Sequence, residues 1–355
     1  MLNAPRVSVV IPAYNAEPFI HAAMTSILEQ TFTDFELLIA DDGSTDATVQ
    51  IAKFFPDPRV RVLESKINRG PAAAQNDGLR AARAEYIAIL GADDLALPER
   101  LKRQVAFLDS YSDIALVGTA VYLLSPDGSL THAPVPTDPI AVRWRLLFGN
   151  PIAAPAVMAR RTVLIQSGCF DDSIRFGEDM ELWGRIAARE KIAQIDEPLT
   201  QYRVHPKSLS RTMGETRKQW QIKIIKQNLE RLSGIVVGDR VIESLAGLES
   251  DIPQTIVTEA FETVWKCARL FCASLARTAR TRRFLLQEIL SDLLRLARQD
   301  EAQRLRALAI ASRYAVCYAP LQIMSPSFFN FAAKVVSPPT WRRLFRHAVP
   351  RKAGV

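Results

Sequence analysis

Short, mostly apolar runs alternate along the first hundred residues with stretches in which apolar positions recur every three or four residues. Val7 to Ile11, Phe35 to Ala40, Val60 to Leu63 and Tyr86 to Leu90 are β-branched or aromatic runs closed by turn residues. That is the character of strands buried on both faces. The spacing between them predicts helices. One begins near Pro18, places Ile20, Met24, Ile27 and Leu28 on a common face and ends near Gln30; others run from about Thr45 to Phe54, Pro71 to Ala82 and Pro98 to Asp109. Strands and helices in alternation predict a doubly wound, mostly parallel α/β sheet with helices on both faces.

Three of these strands run directly into polar or acidic turns: Tyr14 to Glu17, Asp41 to Asp46, and Gly91 to Asp94. Open α/β sheets bind their ligands beyond the carboxyl ends of the strands. Carboxylates gathered there suit a nucleotide and its metal, so the pattern points to an enzyme that uses a nucleotide-activated donor.

Length and composition enlarge this picture. The 355 residues, 48% of them hydrophobic, allow two or three folding units and a sizeable core. Cys169, Cys267, Cys272 and Cys317 have neither paired nor metal-ligand spacing, which reads as reduced thiols in a cytoplasmic setting. The N-terminus enters its first strand without a basic segment and apolar stretch of the secretory kind. Charge is uneven: residues 1–214 hold 22 Lys+Arg against 26 Asp+Glu, whereas 215–355 hold 23 against 12. We therefore divide the chain into a catalytic region, 1–214, and a basic, mainly helical region, 215–355. Arg277, Arg280, Arg282, Arg283, Arg295, Arg298, Arg304 and Arg306 alternate with apolar residues, and Trp341 to Arg346 repeat the theme. Such helices suit either an anionic membrane surface or a bundle with a solvated arginine face. No nucleic-acid-binding motif accompanies the basicity. Residues 314–333 are free of charge, but Pro320 and Pro326 interrupt them, which favours surface association or burial over crossing a bilayer.

VSVVIPAYNAE, LLIADDGSTDAT, NRGPAAAQNDGL, YIAILGADDLALPERL, FGEDMELWGRI and YRVHPKSLS follow one another through about residue 210. In that order they resemble glycosyltransferase family 2, the inverting sugar transferases with a GT-A, Rossmann-like fold. The resemblance implies transfer of a sugar from a nucleoside-diphosphate sugar, most often a UDP-sugar, to a hydroxyl of a glycan or lipid-linked acceptor. It also implies cell-surface polysaccharide or glycolipid synthesis, in the cytoplasm or peripherally at the inner face of the plasma membrane.

The resemblance assigns roles residue by residue. Pro12, Tyr14, Asn15 and Glu17 line the base and ribose; Asp42 accepts from a base N–H, with Asp41 as its structural neighbour and Asp46 as a helix cap. Asn68, Arg69 and Gly70 open the third helix, where unpaired N–H groups and a cation suit the donor phosphates. Asn76 and Gly78 read as internal hydrogen bonding and close packing. Asp93 holds Mg²⁺ or Mn²⁺ with Asp94 beside it on the donor. Here the chain departs from the family pattern, because Gly91 stands where the family's first aspartate, a ribose contact, is usual. Asp179 is the base that takes the acceptor's proton, and Glu178 adjoins acceptor or sugar. Arg203 and His205 approach the leaving group, His205 also as a metal ligand. Trp144 and Arg145 are candidates for the acceptor channel. Two other classes compete. A sugar nucleotidyltransferase is disfavoured by the lack of a glycine-rich loop after Val7 to Ile11, and a non-catalytic scaffold by the joint presence of Asp42, Asp93 and Asp179.

Overall fold

A computed structural model describes residues 4–204, 214–248 and 253–274. The basic segments beyond residue 274, the proline-interrupted stretch 314–333, Cys317 and His205 lie outside the described residues.

The first half of the chain forms β1 (Val7–Ala13), α1 (Ile20–Leu28), β2 (Phe35–Asp41), α2 (Thr48–Phe54), β3 (Val60–Glu64), α3 (Pro71–Ala81) and β4 (Tyr86–Ile89). All four strands are parallel, in the order β3-β2-β1-β4, with Val9 opposite both Leu37 and Ala88. Every residue of β2 is buried, which explains its mostly apolar run. The one acid in that run, Glu36, is accommodated by Ser8 Oγ (2.7 Å), the Arg83 N–H (2.9 Å) and Arg61 (2.9 Å). Ile20, Met24 and Ile27 of α1 are buried against the sheet as their spacing requires.

The second half widens the sheet differently. It comprises β5 (Leu95–Ala96), α4 (Arg100–Ser110), β6 (Ile114–Leu124), β7 (Leu130–Ala133), α5 (Pro139–Arg145), a 3₁₀ turn (Ala154–Ala156), β8 (Met158–Arg160), α6 (Arg161–Gln166), α7 (Glu178–Ala187) and β9 (Lys191–Arg203). The full order is β3-β2-β1-β4-β8-β6-β9-β5, with β7 on β6. Strands β8, β5 and β7 enter antiparallel, so the sheet is mixed rather than uniformly parallel. Short returning strands need no crossover helix, and this half accordingly lacks the regular alternation of the first.

The first compact unit closes at Leu232 and the second begins at Ser233. α8 (Gly214–Ser233) thus belongs almost wholly to the first unit, beyond the boundary at 214 that the charge balance suggested. Packing explains this. Asn228 of α8 is fully buried and donates to Leu146 O (3.2 Å), and a Cβ on Gly184 of α7 would stand 1.9 Å from its Oδ1. Arg231 of α8 and Arg185 of α7 both pair with buried Glu181. Charge composition cannot register such contacts. In the second unit, α9 (Asp239–Ala246) and α10 (Gln254–Ser274) pack together, burying Val241, Ile242 and Leu245 on one and Val257, Ala260, Val264 and Cys267 on the other. Cys169 and Cys267 are free thiols, and burial pushes Cys267 up to about 12. Among the described residues no helix is long and apolar enough to cross a membrane.

α3 lies directly on β1, because Gly78 has no side chain: a Cβ there would meet Val10 Cγ1 at 2.3 Å. Gly78→Ala is expected to destabilise the first unit by about 1–3 kcal/mol through overpacking. In thermal or denaturant unfolding, its cost should be less than additive with Val10→Ala. Full additivity of the two would refute the contact.

Candidate active site at the carboxyl ends of the strands

The turns after β1 and β2 brace each other. Asn15, in the left-handed region (φ 49°), accepts the Thr45 N–H on Oδ1 (2.8 Å), and its own N–H donates to Ser44 Oγ (2.9 Å). Glu17 accepts the Ala47 N–H (3.1 Å) and donates its own N–H to Asp46 (3.1 Å), while Asp46 accepts from the Thr48 N–H (3.0 Å). The segment from Thr45 to Ala47 is spent on this brace, so α2 starts at Thr48 rather than Thr45. Asn15 and Glu17 are thereby tied to structural work, whereas Tyr14 leaves its ring half exposed. Pro12 lies within β1, opposite Ala40.

Asp41 accepts the N–H groups of Gly43 and Ser44, both at 3.1 Å, the structural task expected of it. Asp42 is 3% exposed, and its carboxylate takes the Arg69 N–H (2.9 Å) and the Gly70 N–H (2.7 Å). This corrects the expectation for the start of α3. The amides offered there to phosphates are already held by a protein carboxylate, which also complements the positive end of the helix. The Arg69 guanidinium pairs with Asp77, and Asn68 stays exposed. Asn76 exchanges two hydrogen bonds with the Phe170 backbone (2.8 and 3.0 Å), the internal role its position suggested.

The acidic turn after β4 meets the end of β9. Asp94 is 3% exposed and accepts the Arg203 N–H (2.8 Å), while Arg203 Nε donates to Asp93 O (2.8 Å) and its guanidinium stands 5.1 Å from the centre of the Phe19 ring. Asp94 is therefore turned inward, where it anchors β9, rather than outward toward a donor. A Cβ on Gly91 would lie 2.4 Å from Asp94 Oδ2 and 3.1 Å from Asp93 Oδ1. The missing aspartate at 91 and the inward Asp94 are one fact: the second carboxylate occupies the space where the first side chain would begin.

Burial, and then the charge of Asp93, push the Asp94 carboxyl well above the usual range. Beneath it Arg100 is fully buried, donating to Ile89 O (2.7 Å) and Val157 O (3.3 Å); burial lowers it to about 9 against the opposing pull of Asp94. Among the described residues no cluster of three or more His, Cys, Asp or Glu could hold a metal. Asp93, with Asp94 beside it above Gly91, nevertheless fits a divalent ion whose remaining positions are filled by phosphate oxygen and water.

α7 begins at Gly177, whose φ of 80° and close approach to Ile224 Cδ1 (2.9 Å from a Cβ placed there) both call for glycine. Glu178 and Asp179 follow in its first turn. Gln75 of α3 donates to Glu178 (3.1 Å); the Met180 N–H (2.7 Å) and Asn150 Nδ2 (2.8 Å) donate to Asp179. Burial, and then the charge of Asp179, raise Glu178 to about 7, and burial also raises Asp179. Gln75, Arg100 and Asn150 are the site residues that sequence reasoning missed. Asn150 lies in a Gly-Asn-Pro loop that carries no periodicity, and its partner is 29 residues away. Trp144 is fully buried against Phe148 at a ring separation of 5.4 Å, so it belongs to the core and not to an acceptor channel.

Residues 8–160 match the family model described as glycosyl transferase family 2. An uncharacterized glycosyltransferase, EpsJ, of Bacillus subtilis is 31% identical over 260 residues, covering 65% of this chain and 72% of that protein. The succinoglycan biosynthesis protein ExoO of Rhizobium meliloti is 32% identical over 230 residues, covering 59% and 64%. The chain spans only about a third (34%) of the length of an uncharacterized glycosyltransferase of Rickettsia conorii to which it is 35% identical over 58% of its own length. In fold it is similar to S. aureus TarS residues 1–349 in complex with UDP-GlcNAc, with a TM-score of 0.53 and 17% identity over 95% of this chain and 92% of that one. With its parallel half-sheet, its acidic turns and these relatives, the chain belongs to glycosyltransferase family 2.

Proposed function

We propose that the chain is a metal-dependent, inverting glycosyltransferase that moves a sugar from a nucleoside-diphosphate sugar to a hydroxyl of a glycan or lipid-linked acceptor in cell-surface polysaccharide or glycolipid synthesis. The observation that carries this reading is the pairing of acids beyond the strands: Asp93 and Asp94 converge above Gly91, and Glu178 and Asp179 share the first turn of α7. ExoO, named for polysaccharide synthesis, supports the pathway class, and TarS, seen with UDP-GlcNAc, supports a UDP-sugar donor. The basic excess in residues 215–355 supports an anionic membrane surface as the place of work.

In this mechanism the acceptor oxygen attacks C1 of the sugar from the face opposite the leaving group. As the bond forms, Asp179 takes the hydroxyl proton, and the bond from C1 to the diphosphate oxygen breaks with its electrons staying on the diphosphate. No covalent intermediate is required, and the anomeric centre inverts. A Mg²⁺ or Mn²⁺ ion held by Asp93, with Asp94 behind it, would neutralise charge developing on the leaving diphosphate. Arg203, fixed by both aspartates of that turn, places its cation at the same end of the site. Glu178, raised to about 7 by burial and by the charge of Asp179, is about half protonated at neutral pH, so the two carboxyls share their charge.

Asp93→Ala is expected to abolish metal-dependent hydrolysis of UDP-, GDP- and dTDP-sugars and the thermal stabilisation by the matching nucleoside diphosphate with Mn²⁺. An unchanged metal response would remove Asp93 from this role. Asp179→Asn should retain donor binding yet lose transfer by roughly 10²–10⁴-fold; equal rates would exclude it as the base. For Glu178 the native chain keeps a proton that the unfolded chain releases near 4.5, so its contribution to stability falls from that pH up to about 7 and is level beyond. Glu178→Gln should therefore melt above wild type near pH 8 and converge with it near pH 4. A constant offset across that range contradicts the assignment.

A further inference from the structure

The two oxygens of Asp179 are held from different quarters. Oδ1 accepts the N–H of Met180 on its own helix at 2.7 Å, and Oδ2 accepts Asn150 Nδ2 at 2.8 Å. Asn150 lies between α5 and the 3₁₀ turn and is itself oriented, because its Oδ1 accepts the Ile152 N–H at 3.2 Å. With the amide oxygen committed to a backbone donor, the NH₂ end is the one presented to the carboxylate. We infer that Asn150 is a positioning residue for sugar transfer, fixing the Asp179 carboxylate in the rotamer from which it takes the acceptor's proton.

The inference rests on Asp179 being the base. A carboxylate with one oxygen tied only to its own helix could swing about its Cα–Cβ and Cβ–Cγ bonds. The Asn150 contact, made from another segment of the chain, removes that freedom before the acceptor arrives. The same hydrogen bond favours the charged carboxylate against the burial that raises it. The titratable neighbour is Glu178, held by Gln75 of α3. One turn further, Glu181 is engaged by Arg185 and by Arg231 of α8, and α8 otherwise presents Ile224 to the start of α7. Because Asn150 is exposed, substituting it leaves the core intact.

Two substitutions separate this role from a structural one. Asn150→Asp keeps an oxygen for the Ile152 N–H but sets a carboxylate against Asp179, whereas Asn150→Ala removes both contacts. In the full chain with Mn²⁺ and the UDP-, GDP- and dTDP-sugar panel, Asn150→Ala is expected to lower kcat for donor hydrolysis by about 10–100-fold, the scale of one hydrogen bond to a charged group. KM should stay within about twofold, because uniform binding is untouched. The acid limb of the kcat profile should move to higher pH, and Asn150→Asp should be slower still with a larger displacement. A loop-shaping role gives the reverse order, with Asn150→Asp near wild type. That order, or a loss confined to KM, overturns the inference. Asp179→Asn run alongside distinguishes the two failures: if it is inactive while the Asn150 variants behave as wild type, only the positioning role falls. If it retains the wild-type rate, or if wild type turns over no donor of the panel, the base assignment falls and this inference with it.

Discussion

The rest of the site depends on the buried carboxylate of Asp42 and the two backbone N–H groups it holds at the start of α3. Hydrogen bonds to an ionised acceptor are short and strong, and leaving either partner unpaired in the interior would be costly. The clamp joins the end of β2 to the first residues of α3. That helix then acts as a beam: Gly78 seats it on β1, Gln75 reaches Glu178, and Asn76 holds the Phe170 backbone ahead of α7. The turns after β1 and β2 and the acid pair, far apart in sequence, are thus registered through one element, whose Gln75 stands 103 residues from Glu178.

The acids at the strand ends illustrate how similar residues acquire different tasks. Asp41, Asp42, Asp46 and Glu17 each accept backbone N–H groups, which fixes the geometry of the turns. Asp93 and Asp94 converge above Gly91, over a fully buried Arg100 whose charge opposes theirs. Like charges brought so near each other in a low-dielectric setting favour a cation or a shared proton. In the other acid pair, amides from two separate segments, Gln75 and Asn150, each take one carboxylate. The protein thereby sorts adjacent acids by their partners rather than by their identity.

α8 has a comparable supporting function for α7. Its Asn228 enters the space left by Gly184, and its Arg231 shares Glu181 with Arg185, so the helix that carries Glu178 and Asp179 is gripped from its far side. This is why the first compact unit extends to Leu232. The basic excess of residues 215–355 divides the sequence earlier than the packing does.

The sequence alone determined the parallel half of the fold, because β-branched runs buried on both faces and helices with a single apolar stripe leave local signatures. β1 to β4 and α1, α3 and α4 fall within a few residues of where periodicity put them, and the order of six motifs carried the family. Tertiary structure alone decided which polar atoms meet. That Asp42 consumes the amides of Arg69 and Gly70, that Asp94 turns inward beside Gly91, that Trp144 is core, and that Asn150 finds Asp179 are pairings between distant segments. Hydrophobic periodicity is written into neighbouring residues, since each apolar position reports its own burial. A hydrogen bond's partner is set by where the folded backbone brings a second group, and no local pattern contains that information.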